Sequence, residues 1–178
     1  MFWWSFESEN DPNTDPLVLW LTGGPGCSSE LAVFLENGPY KMDMEKQLHY
    51  NPYTWSKVAN MVYIDNPIGT GFSVAERPSD MDKMEDAVAA DFHTFMLGYL
   101  AQHPEFEGRD FYITGESYAG HYIPAIAHML VTFGKDIPVN FKGIAIGNGW
   151  VDPVSQYPKY LDYAKAHNFK GLTTEVEA

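Results

Sequence analysis

The sequence predicts an α/β fold, a mainly parallel β-sheet flanked by helices. Three observations predict it. Short, largely apolar runs recur at Leu17–Leu21, Asn60–Asp65, Asp110–Thr114 and Phe141–Ile146, the mark of buried strands. They alternate with stretches of helical periodicity, as parallel strands joined by helical crossovers do. Each run is followed by glycines: Gly23-Gly24, Gly69 and Gly71, Gly115, and Gly147 with Gly149.

Taken in order, Phe2–Glu7 reads as a strand, and Asn10–Pro16 is a turn dense in Asn, Asp and Pro. The Leu17–Leu21 strand runs into Thr22-Gly23-Gly24-Pro25-Gly26-Cys27-Ser28-Ser29. A short helix is expected over Ser28–Asn37, stopped by Gly38-Pro39. Lys41–Trp55 reads as irregular. The Asn60–Asp65 strand leads into Asn66-Pro67-Ile68-Gly69-Thr70-Gly71-Phe72-Ser73. A long helix is expected from a cap at Ser79 or Asp80 to about His103, with Met81, Met84, Val88, Phe92, Phe95, Met96, Tyr99 and Leu100 at helical spacing. Its methionines read as core filler rather than a cofactor site. After the Asp110–Thr114 strand, a helix is expected over Tyr118–Phe133, kinked at Pro124. The last elements are the Phe141–Ile146 strand and a helix over Val154–Asn168. No internal repeat or domain boundary is legible, so residues 1–178 read as one partial domain.

The chemistry centres on Gly115-Glu116-Ser117-Tyr118-Ala119-Gly120. A serine between two close glycines at a strand-to-helix junction is a nucleophile elbow of the α/β-hydrolase type. The cramped turn lifts the hydroxyl out of the sheet, and the helix behind it aims its positive end where negative charge develops in acyl transfer. The glycine-rich turn after Leu21 falls where such folds place a second oxyanion donor, so the backbone N–H groups of Gly24 and Tyr118 are the candidate pair. The turn is not a phosphate loop: it lacks the Lys-Ser/Thr of one, and Pro25 has no N–H. Gly69-Thr70-Gly71 lacks the third glycine of a dinucleotide site. No cofactor and no metal are expected.

His121 lies one turn beyond Ser117 on the elbow's own helix and reads as a packing histidine. Asp152 and His167 follow Ser117 in the acid-then-histidine order of such hydrolases, which keeps open a complete catalytic set within the chain.

The bulk numbers bound the partners. A net charge of −13 argues against nucleic acid and suits work in acid, where carboxylates are partly neutralised. No run of about 18 apolar residues is present, so no membrane span is expected. Cys27 is the single cysteine, which by itself reads as a buried or free thiol in a reducing compartment. The opening Met1-Phe2-Trp3-Trp4-Ser5-Phe6 lacks the basic start and cleavage site of a signal peptide and reads as mid-strand. The chain is therefore expected to be a piece of a longer protein.

These motifs, with Leu19-Trp20-Leu21, Asp65-Asn66-Pro67 and Ile146-Gly147-Asn148-Gly149, resemble the serine carboxypeptidase family in content and order. The resemblance covers the N-terminal part of a family member. It implies an α/β-hydrolase-like fold truncated at the C-terminal side, with Ser117 as nucleophile and Gly24 and Tyr118 as oxyanion donors. It also implies a set that recognises the free C-terminal carboxylate of a peptide: Glu116, the Gly23 amide and the side chain of Thr22, with Trp20 and Glu36 supporting Glu116. Two facing carboxyls must share a proton, so an acidic preference follows. Family members usually carry Asn where this chain has the shorter, branched Thr22. The family's catalytic Asp and His lie beyond residue 178, so the chain as given is expected to be inactive. Cys27 belongs by resemblance to a disulfide whose partner is absent, in a secretory, vacuolar/lysosomal or extracellular protein. Alternatives in view are an acyltransferase built on the same elbow and a non-catalytic binder of peptide C-termini.

Overall fold

The computed structural model describes residues 1–169. Its centre is a five-stranded sheet built from β1 (Trp3–Phe6), β2 (Leu17–Leu21), β5 (Asn60–Ile64), β6 (Asp110–Glu116) and β7 (Asn140–Gly147). The strand order is β1-β5-β2-β6-β7; β1 runs antiparallel to β5 and the other neighbours are parallel. The helices are α1 (Glu30–Leu35), α2 (Glu85–Gln102), α3 (Ala119–Thr132), α4 (Pro153–Gln156) and α5 (Pro158–Ala166). Among the described residues no helix is long and apolar enough to cross a membrane.

Alternation along the strands divides the core. Leu17, Leu19, Leu21, Val62, Ile64, Phe111 and Ile113 face one way and pack with the buried sides of α2 and α3. Val18, Trp20, Met61 and Tyr63 face the other way, against Ala32 and Val33 of α1. The two-residue period of a strand requires this split when both faces are covered. On the α1 side the cover stops short of β6, where Tyr112 is exposed; on the edge strand β7, Ile144, which shares the face of Ile113, is exposed too.

Several elements differ from the expected bounds. The first helix is shorter than Ser28–Asn37, because Ser29 is buried and turns its hydroxyl to the Ile64 carbonyl at 2.6 Å. Residues 41–55 are not wholly irregular. They hold an antiparallel hairpin, β3 (Tyr40–Met42) with β4 (Leu48–Tyr50), closed by Asp43, whose carboxylate accepts from the Gln47 amide at 2.8 Å. Every residue of both strands is exposed, so no buried alternation marks them in the sequence. The long helix starts at Glu85, not at Ser79 or Asp80. Asp80 instead accepts from the Arg77 amide and closes a separate short turn, after which Met81 and Met84 take extended backbone. These two methionines are exposed and fill no core, whereas Met96 is buried. The last helix is two, broken where Pro158 lacks an N–H.

Close backbone contact fixes the β2–β6 pair. Leu21 is registered with Gly115, and a Cβ on Gly115 would lie 2.2 Å from the Leu21 carbonyl oxygen. Gly115→Ala is expected to lower stability by about 2–3 kcal/mol, the usual scale for forced overpacking. Gly98→Ala, on the open face of α2, has nothing within 4 Å to meet and should gain about 0.5–1 kcal/mol from helix propensity. Urea denaturation midpoints check both.

Candidate active site

The site forms where parallel strands end. β2 and β6 are neighbours, so Thr22-Gly23-Gly24 emerges beside Glu116-Ser117-Tyr118, and β7 brings Gly147-Asn148-Gly149 to the other side. Loops beyond the carboxyl ends of parallel strands are the usual seat of ligands in such sheets.

Ser117 stands between β6 and α3 with φ +56°, a left-handed conformation that costs a non-glycine residue of the order of 1–3 kcal/mol. Three backbone bonds hold it. Its N–H donates to the Gly147 carbonyl at 3.0 Å. Its carbonyl accepts from Gly120 N–H at 3.0 Å and Trp150 N–H at 2.8 Å. Gly120 is required by the second partner, since a Cβ there would lie 2.8 Å from the Trp150 backbone. The side chain of Ser117 is exposed.

The glycine-rich turn closes on the elbow from the β2 side. A Cβ on Gly23 would lie 2.4 Å from the Tyr118 nitrogen and 2.9 Å from the Ser117 Cβ. Gly24 has φ +118°, and Cys27 N–H donates to the Gly23 carbonyl at 3.1 Å to complete the turn. Among the described residues the amides of Gly23, Gly24 and Tyr118 have no hydrogen-bond acceptor. Uncommitted N–H groups beside a raised serine are what an oxyanion needs. Cys27 is exposed and unpaired in this chain.

Thr22 is buried, and its hydroxyl accepts from the Trp20 indole N–H at 3.0 Å. The Trp20 indole N–H is therefore committed to Thr22. The reason is the strand period: Thr22, one residue past β2, continues on the face that carries Trp20. With its lone pair engaged, the Thr22 hydroxyl keeps its proton for an acceptor. Glu116, half-buried at the end of β6, faces Glu36 just past α1. Partial burial first, then repulsion from Glu116 and a shared hydrogen bond, push the Glu36 carboxyl up to about 7.

A cavity of about 300 Å³ opens beside Ser117, lined by Gly24, Tyr118, Asn148, Gly149, Trp150, Gln156, Tyr157 and Tyr160. Gln156 braces its wall: its side-chain amide donates to the Gly149 carbonyl, and its oxygen accepts from the Val151 and Asp152 amides. The roles of Gln156 and the three rings Trp150, Tyr157 and Tyr160 were not read from the sequence. Its one available signal was the Gly-Asn-Gly turn at a strand end, where Asn148 takes φ +45°.

No described side chain hydrogen-bonds the Ser117 hydroxyl, and the six histidines are engaged elsewhere. His121 stacks on Tyr118 at 4.6 Å and contacts Trp150, as expected of a packing residue. His49, His93 and His103 bond acidic neighbours, and His128 meets Phe133. His167, capping α5, lies against Tyr163 and Phe169. Asp152 is held below its ordinary value by the Ser155 hydroxyl and is not joined to His167. The structure does not bring Asp152, His167 and Ser117 together.

A family model described as serine carboxypeptidase matches residues 1–175. The chain belongs to the serine carboxypeptidase family. It is 51% identical to serine carboxypeptidase-like 47 of Arabidopsis thaliana over 92% of this chain and 33% of that protein. Serine carboxypeptidase S10 family member 1 of Dictyostelium discoideum is 43% identical over 99% of this chain and 43% of that protein. Among solved structures, a prohormone-processing carboxypeptidase from Saccharomyces cerevisiae superposes with a TM-score of 0.84 at 35% identity, covering 93% of this chain and 37% of that one. The chain thus has the α/β-hydrolase fold, and it spans about a third of the length of the plant relatives it matches.

The Glu36–Glu116 contact sets a pH dependence. Because the Glu36 value is raised from 4.5 to about 7, its stabilising contribution is complete below 4.5 and lost as pH rises through 7. Glu36→Gln removes the charge that forms. After discounting for solvent screening, the gain at pH 8 is of the order of 1 kcal/mol, or about 2–4 °C in melting temperature, and near zero at pH 4. Melting curves of both proteins across pH 4–8 check this.

Proposed function

We propose that this chain carries the nucleophile, the oxyanion donors and the carboxylate-recognition half of a serine-type carboxypeptidase, which releases C-terminal residues from peptides through an acyl-enzyme on Ser117. In the proposed reaction the Ser117 oxygen attacks the last peptide carbonyl. The N–H groups of Gly24 and Tyr118 take up the charge that moves onto the carbonyl oxygen, and the C-terminal amine leaves. Water then hydrolyses the ester. The observation that carries this reading is the strained, exposed Ser117 packed against a glycine turn whose amides are uncommitted.

Recognition of a free C-terminus is assigned to Glu116, the Gly23 amide and Thr22, backed by Glu36 and Trp20. A protonated carboxyl in the Glu36–Glu116 pair donates to the substrate carboxylate; once both ionise, they repel it. The Thr22 proton and the Gly23 N–H complete the donors. The substrate class is a peptide or protein with a free C-terminus, not nucleic acid. The setting for the whole protein is the secretory pathway, a vacuole or lysosome, or the cell exterior, where Cys27 pairs in a disulfide.

Transfer of the serine proton needs a base, and the described histidines do not reach Ser117. We therefore assign no turnover to the 178 residues alone. Removing the base from such a site leaves only the residual help of binding and the oxyanion hole.

Binding tests the recognition half without turnover. A fluorescent peptide with a free C-terminus is expected to bind at pH 5 at least tenfold more tightly than the same peptide amidated. That preference should weaken as pH rises past 7 and vanish in Glu116→Ala. Equal binding of acid and amide at pH 5 would sink the assignment.

A further inference from the structure

The turn that carries Gly24 holds three glycines within residues 23–26, each without the Cβ that would restrict its backbone. Gly24 and Gly26 both lie at positive φ. Inside the turn one bond closes it, from Cys27 N–H to the Gly23 carbonyl. Among the described residues a single side chain bonds its backbone: the Tyr122 hydroxyl accepts from Gly26 N–H at 3.3 Å. Tyr122 is 2% exposed, and burial raises its hydroxyl well above the ordinary value, so it stays a neutral phenol.

Tyr122 stands four residues after Tyr118 on the same helical face, and the two rings meet edge to face at 5.1 Å. Helix α3 therefore supplies one candidate oxyanion donor directly, the Tyr118 N–H, and reaches the other through Tyr122 and Gly26. A contact of Tyr122 with the elbow alone would leave Gly24 free to swing about its own φ and ψ. The bond to Gly26 fixes the far side of the turn to the element that fixes the near side.

We infer that Tyr122 is a positioning residue that holds the Gly24 N–H in register with the Tyr118 N–H by anchoring Gly26. The inference rests on the reading of these two amides as oxyanion donors. It gives the Tyr122 hydroxyl a role that ring packing does not require.

The test is amide exchange on the glycine- and tyrosine-labelled chain. In the parent chain the Gly26 amide should exchange at least about tenfold more slowly than the Gly24 amide, which has no acceptor. In Tyr122→Phe, which keeps the ring, the Gly26 rate should rise to that of Gly24. The Gly24 resonance should shift while Gly115, buried in β6, stays in place. An unprotected Gly26 in the parent chain overturns the inference, as does a Gly24 resonance unmoved when Gly26 is freed. Should Tyr122→Phe not fold, 3-fluorotyrosine at position 122 weakens the acceptor while keeping ring and hydroxyl. A Gly26 resonance unmoved by it overturns the inference equally. Binding of the free-acid against the amidated peptide reads the Glu116 site and not the Gly26 amide, so the proposed function and this inference fail separately.

Discussion

The approach of Gly23 to the elbow is the constraint on which the rest depends. The backbones of the β2 and β6 exits come so close that a single Cβ at Gly23 would collide with the Tyr118 nitrogen, the Glu116 carbonyl and the Ser117 Cβ. Two strand ends held that tightly leave the elbow no room to relax. Ser117 stays at φ +56°, pinned between Gly147, Gly120 and Trp150 by backbone bonds. The register of β2 against β6 sets the approach, and Gly115 permits the register. Sheet, glycine turn and serine elbow are one mechanical unit, which is how a strained conformation persists in a folded protein.

Electrostatics adds a second condition. Two carboxyls meet at one end of the site, and Glu36 holds its proton to about 7. A second acidic pair, Asp82 with Asp91, lies before and within α2, where partial burial and the Asp91 charge raise Asp82 to about 6. In a chain of net charge −13, each retained proton relieves repulsion that neutral pH would restore. Proton retention at these pairs therefore favours the folded state in mild acid.

Much of this was legible in the sequence, for a physical reason. The strained turn at Ser117 and the glycine turn need residue types that little else can replace, so Gly115, Ser117, Gly120 and Gly23-Gly24 announce themselves. Buried strands such as Leu17–Leu21 do the same through unbroken apolar runs. What stayed hidden depends on geometry rather than residue type. The β3–β4 hairpin buries neither face and leaves no pattern. The start of α2 is set by the competing Asp80 turn. Trp20 turns to Thr22 because of strand period, and Tyr122 reaches Gly26 across 96 positions of chain. Trp150 belongs to no sequence motif, yet its amide closes the elbow.

The central claim is that Ser117 is shaped as a nucleophile but has no base among the described residues. Labelling of the folded chain by a serine-reactive fluorophosphonate at mildly acidic pH, with Ser117→Ala as control, tests it most directly. The account predicts labelling no faster than in the Ser117→Ala control. Rapid labelling that disappears in the Ser117→Ala variant would contradict it, because a working base would then lie inside the chain.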